Sequence, residues 1–546
     1  MMAPGTTNGG LTPAGIRSGM DAVIRLRSTA VLLALAGLVA APVPALAAAP
    51  AHAGPSLGFD LDAATIPELQ QRMDHGRLSA VALTAAYLHR IDALDGKIHA
   101  VVAVDPGALR AAAASDARRR TGHTLGQLDG IPVLLKDNID TRTLPATAGS
   151  RALPRSRPAA DAALVDRLQR GGAVILGKTN LSEWANYRST HATSGWSGIG
   201  GQTNNPYVLD RNPCGSSSGS GAAVAATLAQ VAIGTETDGS VVCPAGANDV
   251  VGEKPTLGLV SRTGVVPISA EQDTAGPMAR HVVDTAITLS VLQGHDAADP
   301  ATAAIPAGQP RDYAALLRPG ALRGARIGVW RMAGQDADVD RVVQDAVRTL
   351  TSRGATVVEV DLPYQEQIGA AESPALLTEF KRDVNAYLTH RPGHPANLNE
   401  LIAFNRKDPV ELSKFGQELF EQAAAAPDAT DPTYRAQRAT ATSLARRSID
   451  ETLAAQQLDA IVAPTNSPAW KTTYGTGDAF VLGSSTPAAV AGYPNVSVPA
   501  GFAGPLPIGV SFFAGRWADA RILALAAAFE KAAPARRAPA FIPTIG

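Results

Sequence analysis

The sequence is poor in cysteine and aromatic residues and has no excess of charge of either sign. Only two cysteines, Cys214 and Cys243, occur among 546 residues, which excludes a scaffold stapled by disulfides. Lysine and arginine number 48 against 49 acidic residues, so the basic excess that binding to nucleic acid requires is missing. The ten histidines show no HExxH spacing and no CxxC occurs, so we expect no metal site.

What the sequence does contain is enough apolar material for a large core. Hydrophobic residues make up 45% of the chain, charged residues 18%, and the mean hydropathy is +0.02. This composition indicates a globular protein and excludes a disordered or collagen-like chain.

The N-terminal segment has the pattern of an export signal. Arg25 and Arg27 precede an apolar run at residues 30–41, and small residues with A-x-A spacing follow, the last of them Ala53. The run is shorter than the roughly 20 residues that a membrane span needs. We therefore predict that residues 1–53 are a cleaved signal peptide, that the mature protein is secreted or otherwise extracytoplasmic, and that it has no stable membrane anchor.

Helical and strand patterns alternate along the rest of the chain. This alternation predicts an α/β fold built on a mostly parallel sheet covered by helices. Residues 295–455 read as mostly helical and more polar, and we predict that they form an insertion that shapes substrate choice. The predicted helices lie near residues 65–76, 79–94, 161–171, 222–230 and 518–532, and the predicted strands near 101–104, 131–135, 173–176, 231–233, 461–463, 496–498 and 508–513.

Two familiar motifs match the sequence letter for letter, but the residues around them do not predict the local structure that either motif requires. Residues 172–179 read G-A-V-I-L-G-K-T, which fits the P-loop pattern. Their four apolar middle residues belong in a core strand and not in a phosphate-binding loop. Residues 215–219 fit G-x-S-x-G around Ser217, but Pro213 just before them argues against the strand that a nucleophile elbow requires. Neither a nucleotide site nor an esterase of the α/β-hydrolase type is favoured.

A third set of residues suggests acyl chemistry. Lys136 ends an apolar strand, residues 215–221 form a loop of serine and glycine, and residues 234–240 form a second such loop after a strand. Sites in α/β sheets form beyond the carboxyl ends of strands. A serine nucleophile there could use a lysine base whose pKa burial lowers from about 10.4, and glycine turns could direct N–H groups at an oxyanion. On spacing alone, a solvated lysine and plain turns remain the alternatives.

Both loops resemble the signature of the amidase signature family. Residues 214–220 read C-G-S-S-S-G-S, where the family usually has G-G-S-S-G-G-S, and residues 234–240 read G-T-E-T-D-G-S, close to its G-T-D-T-G-G-S. The resemblance implies Ser240 as nucleophile, Ser216 as a bridging serine after a cis peptide bond, and Lys136 as base. Lys178, which also ends a strand, is the rival base.

The resemblance also implies roles for neighbouring residues. The backbone N–H groups of Thr237, Asp238 and Gly239 would form the oxyanion hole, and Ser217 and Ser218 would support it by hydrogen bonds. Asp238 stands where the family usually has glycine, yet it keeps the N–H donor. The mechanism requires no cofactor.

The likeness covers nearly all of residues 60–535, so we predict one amidase domain over residues 54–546, preceded by the signal peptide. The implied fold is α/β/α around a large mixed sheet. Further segments that resemble the family lie at residues 252–256, 273–277, 459–465 and 491–509. Within the first of these, Glu253 occupies a position that is more usually apolar, and nothing in the sequence explains it.

The likeness is strongest to the bacterial peptide amidases. Residues 379–381, 401–405 and 415–419 share it, and Val242 stands where many members carry arginine, which argues against the amidase component of a tRNA amidotransferase. We expect hydrolysis of the C-terminal carboxamide of peptides to acid and ammonia through an acyl-enzyme. A broad aryl or aliphatic amidase with esterase side activity, and a non-catalytic binding protein, are the alternatives. The expected partner is a peptide or small-molecule amide, and the oligomeric state stays open.

The two cysteines lie close to the predicted serines. Cys214 precedes Ser216 by two residues and Cys243 follows Ser240 by three. We expect two buried free thiols, although export would permit a disulfide.

Overall fold

The structure, a computed structural model, describes residues 57–153, 157–391 and 394–546. The predicted signal peptide lies outside these residues. Among the helices of the described ranges, none combines the length and the apolar character that a membrane crossing requires.

Thirteen strands are present in the described residues, and eleven of them form one sheet. The strands are β1 (Val101–Val104), β2 (Pro132–Lys136), β3 (Val174–Thr179), β4 (Trp196–Ser197), β5 (Gly201–Gln202), β6 (Val231–Glu236), β7 (Val251–Lys254), β8 (Thr274–Ala279), β9 (Arg326–Val329), β10 (Thr356–Glu359), β11 (Ala460–Pro464), β12 (Asn495–Ala503) and β13 (Leu506–Phe513). The order in the large sheet is β1-β3-β2-β6-β8-β7-β12-β13-β11-β9-β10, and β4 pairs with β5 separately.

Helices connect and cover these strands. They are α1 (Ile66–Asp74), α2 (Ala80–Ile98), α3 (Ala108–Arg120), α4 (Ala163–Arg170), α5 (Ser218–Ala225), α6 (Val242–Ala247), α7 (Val282–Leu292), α8 (Ala337–Ser352), α9 (Gln365–Thr389), α10 (Leu398–Asn405), α11 (Glu418–Ala425), α12 (Pro432–Gln456), α13 (Thr486–Ala491) and α14 (Asp519–Ala532). Every residue of β2, β3 and β6 is buried, so both faces of the sheet are covered at its functional end.

The large mixed sheet of an α/β fold is confirmed, but its pairing is less parallel than expected. Parallel pairs join β2 to β3 and β6, and β9 to β10 and β11. The other neighbours in the large sheet are antiparallel. The β12–β13 hairpin illustrates the cause: its turn at Gly504, with φ +58°, is too short for the crossover that parallel strands need.

The prediction for residues 295–455 is only partly right. Strands β9 and β10, which flank α8, form a parallel β-α-β unit that extends the central sheet at one edge. Both strands have four residues, which is too short for their alternation to stand out from a polar, helical background. The uninterrupted helical part runs from α9 to α12.

Several local predictions are confirmed. The helix predicted near residues 65–76 is α1, and Thr65 and Glu68 form its capping box, with the Thr65 N–H donating to Glu68 Oε2 at 3.0 Å. Residues 172–179, which fit the P-loop pattern, contain the buried strand β3. No strand leads into the G-x-S-x-G segment, as expected. Helix α5 begins at Ser218, four residues earlier than predicted.

Candidate active site

Strand β2 delivers Lys136 to the carboxyl end of the sheet, where two loops meet it. The lysine is the last residue of β2 and is fully buried. Its Nζ lies 2.8 Å from Ser216 Oγ, 3.1 Å from the Thr235 carbonyl oxygen and 2.8 Å from Thr235 Oγ1. Ser216 belongs to the loop before α5, and Thr235 is near the end of β6, which pairs with β2. The structure thus joins the lysine to one predicted serine directly.

The Gly215–Ser216 peptide bond is cis, as the resemblance implied. The next residue joins this loop to the second one, because the Ser217 N–H donates to the Ser240 carbonyl oxygen at 3.1 Å. Ser240 is 8% exposed. Within the described residues its Oγ has no hydrogen-bond partner, so the hydroxyl is free to meet a substrate.

Burial dominates the electrostatics of Lys136. It lowers the pKa of the lysine to about 7, while the negative charges of Asp273 and Glu236 act in the opposite direction. A large share of the Lys136 side chains is therefore neutral near pH 7, and a neutral amine can accept a proton.

Lys178, the rival base, has a different environment. Its Nζ donates to the carbonyl oxygens of Ile139 at 2.5 Å and Pro145 at 3.0 Å, and it lies 3.7 Å from Asp137 Oδ1. It contacts neither predicted serine through a hydrogen bond. Through these hydrogen bonds the Lys178 side chain stabilises the loop that follows β2, which is a structural role.

The turn at residues 237–240 presents unused donors. Gly239 has φ +77°, a conformation that glycine adopts without strain. In the described part of the chain, the N–H groups of Thr237, Asp238 and Gly239 have no hydrogen-bond acceptor. Consecutive free N–H groups beside Ser240 can donate to a negatively charged oxygen.

Side chains brace this turn from both ends. Glu236 Oε2 accepts from the N–H groups of Val241 at 2.7 Å and Val242 at 3.0 Å, and so holds the start of α6. Asp238 Oδ2 accepts from Thr486 Oγ1 at 2.7 Å, so the unusual side chain is directed at α13 while its N–H stays free. Burial raises the pKa of Asp238.

The remaining predicted residues, Ser217 and Ser218, hold the loops in place, and Asn138, which was not among the predicted site residues, adds a contact. Ser217 Oγ accepts from the Thr235 N–H at 3.2 Å and lies 3.1 Å from the Thr235 carbonyl oxygen. Ser218 Oγ donates to the Cys214 carbonyl oxygen at 2.6 Å. Asn138 Nδ2 donates to Thr235 Oγ1 at 2.9 Å. Thr235, which sequence reasoning did not single out, is thus the residue on which Lys136 and its neighbours converge.

The expectation of free thiols is wrong, because Cys214 and Cys243 form a disulfide. Their Cα atoms lie 6.0 Å apart although 29 residues separate them in sequence. The bridge joins the loop that carries Ser216 to helix α6, which follows Ser240, and it packs against Ala247 and Trp470. The predicted triad already placed the two serine loops together, but sequence spacing could not reveal the distance between the two cysteines.

Two further residues touch the turn and had no predicted role. Gln272 Nε2 lies 3.3 Å from the Thr237 carbonyl oxygen, and Asp273 Oδ1 accepts from Thr237 Oγ1 at 2.5 Å. Asp273 opens a segment that resembles the family, which was a weak signal, whereas nothing in the sequence marks Gln272. Among the described residues, no group of three or more histidine, cysteine, aspartate or glutamate side chains could hold a metal ion.

The mixed sheet places a buried lysine, whose pKa is lowered to about 7, beside a serine loop and a turn with free N–H groups. This is the arrangement of an amide hydrolase. Comparison with known proteins agrees. The family model described as Amidase matches residues 82–523, and the chain belongs to the amidase signature family, hydrolases that act on the C–N bond of amides.

Individual relatives cover most of the chain. A probable amidase of Arabidopsis thaliana is 39% identical over 89% of this chain and 93% of its own length. A glutamyl-tRNA(Gln) amidotransferase subunit from Salinispora arenicola is 38% identical over 87% and 98%. The crystal structure of native peptide amidase from Stenotrophomonas maltophilia superposes with a TM-score of 0.84 at 48% identity, covering 88% of this chain and 99% of that one.

Proposed function

We propose that the protein hydrolyses the C-terminal carboxamide of peptides to a free acid and ammonia, through an acyl-enzyme on Ser240. The observation that carries the proposal is the hydrogen bond of 2.8 Å between Ser216 and Lys136, whose pKa burial lowers to about 7. A buried lysine of this kind is a base and not a surface charge.

The hydrogen bonds of Lys136 suit the neutral amine. A neutral amine has two N–H groups and one lone pair, and Thr235 offers two oxygen atoms, its carbonyl and its hydroxyl, as acceptors. If both N–H groups point to Thr235, the lone pair faces Ser216 Oγ. The lysine can then accept the Ser216 proton while Ser216 accepts the proton of Ser240.

Acylation follows from this relay. Ser240 Oγ attacks the amide carbonyl, and its proton passes to Ser216 as the Ser216 proton passes to Lys136. The N–H groups of Thr237, Asp238 and Gly239 donate to the carbonyl oxygen as it becomes negative. The relay then returns a proton to the leaving nitrogen, the C–N bond breaks, and ammonia departs.

Deacylation uses the same groups in reverse order. Water attacks the ester carbonyl of acylated Ser240 and gives a proton through Ser216 to Lys136. The ester C–O bond breaks, the proton returns to Ser240 Oγ, and the free acid leaves. Lys136 is neutral again, so no other reagent is consumed.

The substrate proposal rests on the charges near the site and on the peptide amidase of Stenotrophomonas maltophilia. Asp238, Glu236 and Asp273 lie close to the turn, and burial raises the pKa of each, while the positive charge of Lys254 acts on the first two. The position of Val242, where many members carry arginine, offers no positive charge to a substrate carboxylate. Such a site favours an amidated C-terminus, which carries no carboxylate, over the side-chain amide of free glutamine or asparagine, which carries an α-carboxylate. We further propose that the helical region α9–α12 shapes substrate choice.

The test is incubation with a C-terminally amidated peptide, followed by an ammonia assay and mass spectrometry. We expect conversion to the free acid with the internal peptide bonds intact. Ser240→Ala should abolish conversion, while Ser352→Ala, at an exposed position of α8, should not change it. Turnover of simple anilides or esters alone would favour the broad amidase, and no turnover of any substrate would favour a binding protein.

We also propose that the protein is exported and that residues 1–53 are removed. The basic, apolar and small-residue sections of that segment support the proposal. N-terminal sequencing of protein from the culture medium or periplasm tests it, and an intact N-terminus on cell-retained protein would contradict it.

A further inference from the structure

Thr237, the first residue of the turn, is held at two atoms by two consecutive residues of the loop before β8. Asp273 Oδ1 accepts a hydrogen bond from Thr237 Oγ1 at 2.5 Å. Gln272 Nε2 donates to the Thr237 carbonyl oxygen at 3.3 Å. One contact fixes the side chain of Thr237 and the other fixes its peptide group.

The second contact controls the direction of an oxyanion donor. The peptide group between Thr237 and Asp238 is planar, and in a trans peptide its C=O and N–H point in opposite directions. A carbonyl oxygen that Gln272 holds on one side therefore directs the Asp238 N–H to the other side. That N–H has no acceptor among the described residues, so it is available to a substrate oxygen.

Gln272 is itself fixed by two partners in the helical region α9–α12. Its Oε1 accepts from Arg438 Nη1 at 2.6 Å, and its Nε2 also donates to Glu372 Oε1 at 2.8 Å. Arg438, on α12, makes two hydrogen bonds of 2.6 Å to Glu379 on α9. All four side chains are buried, so the amide group cannot rotate without breaking a buried, charge-assisted bond.

Asp273 is equally constrained. Its Oδ2 accepts from the N–H groups of Ile268 at 2.8 Å and Ser269 at 2.9 Å. Burial raises the pKa of Asp273 to about 7. When they are ionised, Asp273 and Glu236 both raise the pKa of Lys136 against burial. Arg262 and Lys136 are cations whose charge acts on Asp273. The residue that holds Thr237 therefore also acts on the proposed base.

We infer that Gln272 and Asp273 are positioning residues that clamp Thr237, so that the Asp238 N–H is directed at the oxyanion before substrate arrives. The inference rests on the proposed function, because it takes Ser240 as the nucleophile. By this inference the helical region α9–α12 affects the chemical step, because Arg438 and Glu372 hold Gln272, in addition to any contact that the region makes with substrate.

The clamp is tested with Gln272→Met, which keeps the length of the side chain and removes its donor. Loss of a direct oxyanion donor costs 10²–10³ in kcat, so misdirection of one donor should lower kcat about 10- to 100-fold and leave KM within about twofold. The affinity for a peptide aldehyde, which mimics the tetrahedral intermediate when bound, should fall by a similar factor. A purely structural role would lower the melting temperature without this selective loss.

Gln293→Met is the matched control, because Gln293 Nε2 likewise donates to a backbone carbonyl oxygen, that of Pro310 at 2.7 Å. It should leave kcat and aldehyde affinity unchanged. Gln272→Glu serves as a second variant, since it keeps an acceptor for Arg438 but loses the donor to Thr237. It should lose kcat as the methionine variant does.

Asp273→Asn tests the other half of the clamp. Without the negative charge of Asp273, burial lowers the pKa of Lys136 further. The acidic limb of the kcat/KM profile should therefore move to lower pH. Gln272→Met should leave that limb in place. Folded Gln272 variants with kcat and aldehyde affinity within twofold of wild type would overturn the clamp.

The outcome separates the clamp from the proposed function. A wild type that hydrolyses only simple esters or anilides would overturn the peptide assignment, and the same kcat comparison on those substrates would still decide the clamp. A wild type without any turnover would overturn both.

Discussion

The buried carboxyl group of Glu253 should make the protein less stable as the pH rises. Glu253 lies on β7, between β8 and β12, and is fully buried. Neither carboxyl oxygen has a hydrogen-bond partner among the described residues. Burial, aided by the negative charge of Asp519, raises its pKa well above the ordinary value, while Lys254 opposes the shift. The folded protein therefore keeps the Glu253 proton to a higher pH than the unfolded chain does.

The sign and size of the effect follow from proton linkage. Above the ordinary pKa of about 4.5, the unfolded chain releases the Glu253 proton while the folded chain keeps it, so unfolding becomes more favourable as pH rises. The slope is at most about 1.4 kcal/mol per pH unit, over the pH range in which the folded chain keeps this proton and the unfolded chain has lost it. An unpartnered buried polar group costs a further 1–3 kcal/mol or so at every pH.

Two variants separate these contributions. Glu253→Gln removes the titration and keeps a buried polar group, so its gain over wild type in unfolding free energy should grow from pH 5 to pH 7. Glu253→Leu removes both and should be the more stable variant throughout. Denaturant unfolding at pH 5, 6, 7 and 8 measures the differences, with Glu366→Gln, at an exposed position of α9, as control. A gain for Glu253→Gln that stays constant over this range would refute the reasoning.

Three further predictions concern the site. The kcat/KM of wild type should rise tenfold per pH unit below about pH 7 and level off above it, because Lys136 must be neutral; an unchanged rate at pH 5 would contradict this. Replacing Cys214 and Cys243 by serine should lower the unfolding free energy by roughly 3–4 kcal/mol in denaturant titrations. The reason is that the unfolded chain gains entropy when the bridge between residues of sequence separation 29 is removed, and an unchanged midpoint would contradict the prediction. Lys178→Met should cost about 3–5 kcal/mol of stability, since it leaves Asp137 buried and unpaired, without moving the pH profile of kcat/KM.

The sequence was informative where chemistry is local. Lys136 could be placed at the end of a strand because the apolar run before it is short and bounded, and the structure joins it to Ser216. The alternation of strand and helix patterns predicted the α/β fold, and the family likeness implied that its sheet is mixed.

The sequence was uninformative where contacts span long distances or short elements. The disulfide joins Cys214, in the loop before α5, to Cys243 in α6, and no spacing in the sequence records the 6.0 Å between their Cα atoms. The pairing of Gln272 with Arg438 bridges 166 residues. Strands β9 and β10 are too short to show a period, and their pairing became visible only in the folded sheet.

The bridge from Gln272 to Arg438 and Glu372 bears on any attempt to recombine this enzyme with its relatives. The helical region would be the natural segment to exchange, because it lies outside the serine loops. A donor segment that lacks the counterpart of Arg438 on α12 or of Glu372 on α9 would leave the Gln272 amide without one of its hydrogen-bond partners. Chimeras should therefore be chosen by whether they preserve these two side chains, and libraries built by segment exchange should fix both positions before varying the rest.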